Sequence, residues 1–146
     1  MKLSTKSRYG IRAMLELALV EGNSPIAISS IAQKQNIPEP YLEQLMGTLK
    51  KHDLVISTRG AQGGYRLSKP GEMISIGDII RALEGSMAPV ACVEDGDFCA
   101  HSGSCAMHML YGRITRGIND VFDSITLADM ADDQRSMDSR ACSCKG

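Results

Sequence analysis

Three thiols and one imidazole lie within 17 residues of one another in the last third of the sequence, at Cys92, Cys99, Cys105 and His108. Cys105 and His108 are three residues apart at the start of a predicted helix, so they lie on one side of it. Thiolate and imidazole ligands suit both zinc and iron–sulfur clusters. Structural zinc sites favour shorter gaps between cysteines, so the spacing favours a group with two or more irons. His101 is a rival fourth ligand, less well oriented in the preceding loop.

The other two of the five cysteines, Cys142 and Cys144, lie near the end of the sequence. Neighbours at i and i+2 in an extended chain point to opposite sides, so we interpret them as accessible tail thiols without a metal role. Lys2 is followed by polar residues rather than by an apolar signal segment, which disfavours a disulfide framework. Apolar runs fall well short of the ~18 residues that a membrane helix needs. We expect a cytoplasmic protein with no membrane contact.

Charge divides the 146-residue chain into two unlike halves. Residues 1–72 contain ten Lys and Arg against six Asp and Glu, whereas residues 73–146 contain six against eleven. Hydrophobic residues make up 43% of the sequence and charged ones 23%, which is ordinary for a globular protein and excludes a disordered polymer. The asymmetry predicts a basic binding face in the first half and an acidic or metal-associated second half.

The segments expected to form the basic face show the apolar period of helices. Apolar residues recur every three to four positions over 4–20, 29–35 and 39–52, with a turn at 36–38 between the second and third predicted helices. A β-branched segment at 54–58, a glycine-rich tip at 59–64 and an alternating segment at 65–68 predict a β-hairpin. Two short helices and a hairpin in this order indicate a helix-turn-helix with a wing, which binds DNA. Arg59 at the tip is expected to enter a minor groove, with Lys50 close by.

The second half is predicted to contain a capped helix, a loop and a long helix. Ser75 and Asp78 form the pattern of a capping box for a helix to about Leu83. Residues 86–104 show no helical period and include the first two cysteines. From about Ser104 to Ile125, one apolar stripe predicts a helix that a domain of this size cannot bury alone, so we expect it to pair with a second copy.

These observations predict a mainly α fold with a small β-hairpin: a winged helix-turn-helix and a long C-terminal dimerisation helix. The predicted units are a DNA-binding domain at 1–72, a linking helix and cluster-binding loop at 73–104, the dimerisation helix at 105–127 and a mobile acidic tail at 128–146.

The chain resembles the family of winged-helix regulators typified by the iron–sulfur cluster regulator IscR, which includes the nitric oxide regulator NsrR. The resemblance covers roughly residues 1–128 and rests on the motifs at 3–9, 41–45 and 59–67, together with the Cys/Cys/Cys/His set. It implies a homodimer on double-stranded operator DNA and one 2Fe–2S cluster per subunit, held by Cys92, Cys99, Cys105 and His108. It also implies cluster-assembly proteins as the source of the cluster and their genes as the regulated targets.

Particular positions refine this resemblance. Relatives with a 4Fe–4S cluster use an acidic residue where this sequence has Arg8, a cation that cannot ligate a metal. The gap between the first two cysteines is one residue longer than in the best-known IscR, and Pro40 replaces a common hydroxyl residue. Glu43 can accept a hydrogen bond from cytosine, and the corresponding glutamate in IscR-like proteins lets the apo form reject one class of operator.

The predicted DNA-contacting residues comprise the recognition helix and the wing: Tyr41, Glu43, Gln44, Lys50, Arg59, Gly60, Gly63 and Gly64. Gln44 can pair with adenine, and Tyr41 can bind a phosphate. No substrate motif or nucleophile–base pair is present, so we predict a transcriptional repressor rather than an enzyme. The alternatives are a zinc-stabilised or nitric-oxide-responsive repressor of the same fold and, less favoured, an iron–sulfur carrier or redox enzyme.

Overall fold

A computed structural model describes residues 2–95 and 99–143 of the chain. It contains, in order, α1 (Thr5–Leu19), α2 (Ile28–Gln35), α3 (Glu39–Lys51), β1 (Val55–Thr58), β2 (Gly64–Leu67), α4 (Ile76–Glu84), α5 (Ala91–Glu94), α6 (Ala106–Ser124) and α7 (Leu127–Ser143). The two strands form one antiparallel hairpin. The prediction of a mainly α fold with a small β-hairpin is confirmed.

The hydrophobic core lies between α1, α3 and α4. Ala13 and Met14 of α1 are fully buried, as are Leu42 and Leu49 of α3 and Ile79 of α4. At Gly10 the Leu83 side chain of α4 packs directly on α1, in the space that a Cβ would occupy. Part of the apolar period predicted for the first helix is therefore used in the core of the protomer.

A left-handed residue produces the turn between α2 and α3. Asn36 adopts φ 53°, a conformation that asparagine tolerates better than most residues. The Ile37 N–H then donates to the carbonyl of Ala32 over 2.9 Å, and Pro38 precedes the first turn of α3. This turn has the helix-turn-helix form that the sequence predicts.

The second strand of the hairpin is tied to the segment before α2. Ile26 and Tyr65 exchange two backbone hydrogen bonds of 2.9 and 2.8 Å. Gly64 has φ 148°, and a Cβ there would overlap the Ile26 carbonyl. Asn23 adds a second tie, because its side chain both donates to and accepts from the backbone of Leu67 over 3.0 Å.

The joint between α4 and α6 is polar and close. The Ser75 hydroxyl accepts from the Asp78 N–H, and the Asp78 carboxylate accepts from the Ser75 N–H, both over 3.0 Å, which confirms the predicted capping box. Arg81 donates to Asp123 of α6 over 2.6 Å and to Asp78 over 3.3 Å. At Gly77 a Cβ would overlap the Asp123 carboxylate. A larger residue at this position would therefore have to displace the Asp123 and Arg81 side chains that bind α6 to α4.

These contacts set the charge states at the joint. Burial alone raises the pKa of Asp78, but the hydrogen bonds from Ser75 and the Arg81 guanidinium outweigh it, so the net pKa is lowered from 3.8. The hydrogen bond to Asp123 raises the pKa of Arg81, against the opposing effect of burial.

Two predictions for the second half are wrong. The loop at 86–104 contains the short helix α5, and the segment predicted as a mobile acidic tail from residue 128 is the helix α7 up to Ser143. Thr126 and Asp129 cap α7 reciprocally over 2.9 and 3.1 Å. Leu127 is fully buried and donates its N–H to the carbonyl of Ile74 over 2.8 Å. Residues 144–146, including Cys144, lie outside the described residues.

Across the described ranges 2–95 and 99–143, no helix combines the length and the low polarity that crossing a lipid bilayer requires.

Replacing Asp78 by alanine should lower the free energy of unfolding by about 0.5–2 kcal/mol at pH 7, because the capping box is lost. Since folding lowers the Asp78 pKa, its stabilisation is present above the unfolded value of 3.8 and is lost as pH falls through the folded value. Urea denaturation of both proteins between pH 7 and pH 3 should therefore show the difference shrinking in acid. Asp133→Ala on the exposed side of α7 is the control, and a difference that is constant with pH would contradict the assignment.

Candidate functional site

The recognition helix α3 has one buried and one exposed side. The buried side contributes Leu42, Leu45, Met46 and Leu49 to the core. The opposite side contains Pro40, Glu43, Gln44 and Gly47, spaced three and four residues apart, and the first three are exposed. These residues form one strip along the helix, and a Cβ added at Gly47 would meet nothing within 4 Å. Glu43 and Gln44 thus lie where a helix in a major groove presents its reading residues.

Tyr41 is placed differently from the two exposed residues beside it. It is half-buried, and its ring meets the ring of Tyr9 edge-on at a centroid distance of 6.0 Å. The ring fixes the first turn of α3 against α1. Its predicted phosphate contact stays a prediction.

Two of the predicted basic residues lie at or beside the wing. Arg59 is exposed at the tip, beside Gly60 with φ 110°. Lys50 is exposed at the end of α3, and its ammonium donates to the Ser57 hydroxyl over 2.6 Å, which joins the recognition helix to β1. One positive charge therefore lies beside the first strand of the hairpin and one at its tip, and both residue types are common phosphate ligands.

Gly63 and Gly64 have structural reasons to be glycine. A Cβ at Gly63 would overlap the Thr58 carbonyl, and one at Gly64 would overlap the Ile26 carbonyl. Their predicted close approach to DNA stays a prediction. The fold of the hairpin by itself already requires residues without a side chain at both positions.

The predicted metal ligands lie on α5, in the following loop and at the start of α6. Cys92 is in α5, which packs against α6, Cys105 is the N-cap residue of α6, and His108 is in its first turn. These residues and Cys99 are half-buried, and the thiols are free. Within residues 2–95 and 99–143, however, no three His, Cys, Asp or Glu side chains are close enough together to hold a metal ion.

One nitrogen atom in this segment has the buried and unpaired position that a metal ligand would have. The Nδ1 atom of His108 is buried and has no hydrogen-bond partner. A buried polar atom of this kind is rare in a native protein, because leaving it unpaired is costly. The rival ligand His101 and the tail thiol Cys142 are exposed, so neither shares this environment. The donor set and the unpaired nitrogen are chemically compatible with a metal group, although the four residues are not gathered around one point.

Two residues of interest were missed from the sequence. Gly47 lies in the middle of α3, where glycine costs about 0.5–1 kcal/mol relative to alanine, and this cost was the available signal. Arg12 of α1 stacks over Tyr9 at 5.6 Å and binds Gln35. No local motif marks that contact, because its partners are 23 residues apart.

An exposed recognition helix, the preceding helix and turn, and a wing tied to the same core define a winged helix-turn-helix protein that binds DNA. The chain belongs to the Rrf2 family, whose model is described as an iron-dependent transcriptional regulator and matches residues 3–133. It is thus a DNA-binding transcriptional regulator and not an enzyme.

Named relatives differ in what their names say of them. The protein rrf2 of Nitratidesulfovibrio vulgaris is 38% identical over 142 residues, which cover 97% of this chain and 95% of the relative. The structure of CymR, titled the global cysteine regulator of B. subtilis, matches with a TM-score of 0.76 and 45% identity, over 90% of this chain and 97% of the other. The structure of T. potens IscR has the same TM-score of 0.76 at 42% identity, over 92% and 88%. The IscR-like resemblance is confirmed at the level of the fold and family.

Gly47→Ala should separate stability from DNA binding. The free energy of unfolding should rise by about 0.5–1 kcal/mol, because alanine favours the helix and the new Cβ meets nothing within 4 Å. Affinity for a duplex selected by the wild-type protein from a random pool should fall on the order of tenfold, as for one mismatched base pair. Urea denaturation and fluorescence anisotropy measure the two effects. Ser136→Ala on exposed α7 is the control. Undiminished DNA affinity in Gly47→Ala would mean that this side of α3 does not enter the major groove of DNA.

Proposed function

We propose that this protein is a cytoplasmic, homodimeric repressor of iron–sulfur cluster biogenesis genes that senses cluster supply. In this proposal each subunit holds one 2Fe–2S cluster through Cys92, Cys99, Cys105 and His108, and cluster-assembly proteins provide it. Cluster occupancy controls affinity for operator DNA or the choice between operator sequences. The proposal joins the Rrf2 membership of the chain with the IscR-like pattern of its cysteines.

The unpaired, buried Nδ1 atom of His108 is the observation that carries the proposal. A neutral imidazole is a good metal ligand, and ligation satisfies the nitrogen that the described chain leaves unpaired. Cys105 lies three residues before it, with no side-chain cap bond from its sulfur. When bound, a 2Fe–2S cluster would supply a redox-active centre whose potential depends on its ligands and their hydrogen bonds.

The ligands and the proposed dimer surface lie on the same helix. No residue of α6 is buried. Large apolar side chains are exposed on this helix, including Met107, Leu110, Ile114 and Val121. An apolar stripe of this length needs a partner, and the same stripe on a second copy is the economical one. At its other end α6 is bound to α4 through Arg81 and Asp123, so the dimer helix is connected to the DNA-binding half.

A cysteine-responsive regulator without a cluster is the second candidate. The identity to the structure titled CymR is slightly higher than to T. potens IscR, 45% against 42%. The separated positions of the four predicted ligands also agree with a protein that holds no metal in this segment. A zinc-stabilised repressor and a nitric-oxide-responsive repressor of the same fold remain further outcomes of the tests below.

Ile114→Glu should weaken the homodimer. A carboxylate placed in the apolar stripe would be desolvated on dimerisation, and we expect the dimer dissociation constant to rise about thirtyfold or more, as at an interface hot spot. Sedimentation velocity over a concentration series measures it. Arg116→Glu, also exposed on α6 but off the stripe, is the matched control and should stay dimeric. If both variants sediment like the wild type, α6 is not the dimer surface.

Anaerobic reconstitution with iron and sulfide should give a coloured protein that absorbs at ~400–600 nm and holds two irons and two sulfides per subunit. Cys92→Ala and His108→Ala should lose most of the bound iron, while Cys142→Ala, a matched exposed thiol, should retain it. Colourless protein with one zinc per subunit would favour the zinc repressor, and protein with no metal would favour the cysteine-responsive candidate. Operator binding by holo and apo forms then tests whether occupancy matters.

A further inference from the structure

A polar network on α1 grips the last residue of α2. Arg12 donates from Nε to the side-chain oxygen of Gln35 and from Nη2 to its backbone oxygen, both over 2.8 Å. The Gln35 amide nitrogen donates in turn to Glu16, and Lys34 donates to the other Glu16 oxygen over 2.7 Å. Both ends of one amide group are therefore held by residues one helical turn apart on α1.

Glu16 is unusual among the carboxylates of residues 2–95 and 99–143 because its residue is only 7% exposed. A buried carboxylate is tolerated where hydrogen bonds and a cation satisfy it, and it becomes costly when a partner is lost. Gln35 and Lys34 are the partners that satisfy it. The buried part of the network therefore stabilises the fold. Arg12 is the exposed residue at its edge.

The network lies at the point that determines where the recognition helix begins. Gln35 directly precedes Asn36, the left-handed residue of the turn into α3. On the same side of α1, the Arg12 guanidinium lies over the Tyr9 ring, and that ring meets Tyr41 in the first turn of α3. One arginine therefore touches the end of α2 and, through one tyrosine, the start of α3.

We infer that Arg12, Glu16 and Gln35 are positioning residues that set the recognition helix against α1 and thereby determine sequence discrimination, without touching a base. Losing the network should reduce affinity for the selected sequence more than affinity for unrelated DNA. The inference rests on the DNA-binding class of the protein and is independent of the cluster proposal, since apo protein suffices for its test.

A direct phosphate contact by Arg12 is the competing explanation, and salt dependence separates the two. Removing one phosphate contact lowers the slope of log affinity against log salt concentration by about one. A positioning residue leaves that slope unchanged. Arg12→Lys keeps the positive charge but cannot make both bonds to Gln35 at once, because an ammonium lacks the planar fork.

The test compares Gln35→Glu, Glu16→Gln and the double variant, all bound to a duplex selected by the wild-type protein and to a scrambled duplex. Gln35→Glu sets two carboxylates against each other and should lower specific affinity about five- to thirtyfold, with scrambled-duplex affinity unchanged. In the double variant an amide again faces a carboxylate, so specific affinity should return to within about threefold of wild type. Gln33→Glu, which adds the same charge at an exposed site on α2, is the matched control.

Three results would overturn the inference: equal losses on both duplexes, no rescue in the double variant, or a loss in Gln33→Glu as large as in Gln35→Glu. Arg12→Lys provides an independent arm should Gln35→Glu fail to fold by circular dichroism. It should lose specific affinity with an unchanged salt slope. Full affinity in Arg12→Lys, together with a slope reduced by about one in Arg12→Gln, would assign Arg12 to phosphate.

Discussion

The close packing of α1 against α4 is the constraint on which the remaining structure depends. Gly10 leaves no room for a Cβ beside Leu83, and the buried Ser7 hydroxyl donates to Glu84 over 2.8 Å at the end of the same contact. With this side fixed, α1 contacts α2, α3, the second strand of the wing and α7. The helix-turn-helix, the second strand of the wing and α7 are thus all packed against α1.

The proposed metal ligands and the proposed DNA-reading residues belong to different elements of this arrangement. The thiols and His108 belong to α5, α6 and the loop between them, whereas Glu43 and Gln44 belong to α3. Between them, α4 contacts both α3 and α6, and Gly77 allows Asp123 to approach the start of α4. The proposed regulation needs a physical link between the metal ligands and the recognition helix, and α4 contacts elements of both.

Most of the helices and the hairpin could be predicted because their patterns are local. The apolar period of a helix, its capping residues and the glycine-rich tip of a hairpin can each be recognised within a few consecutive residues. The capping pair Ser75 and Asp78 is an example. The helix α7 was missed because it buries little beyond Leu127 and Ala131, so its apolar period is weak, although Thr126 and Asp129 carried a capping signal. The candidate site was predictable by residue type only. Whether four ligands meet depends on a loop path that residue spacing does not determine.

The way the wing is fastened divides it into a stiff part and a compliant part. Ile26 and Asn23 bind the second strand near its two ends, whereas the tip from Arg59 to Gln62 extends beyond the paired residues Thr58 and Gly64. The second strand is thus held to the segment before α2 at both ends, and the tip residues are left outside these ties. Any adjustment of the wing to the shape of a bound duplex is therefore concentrated in the tip.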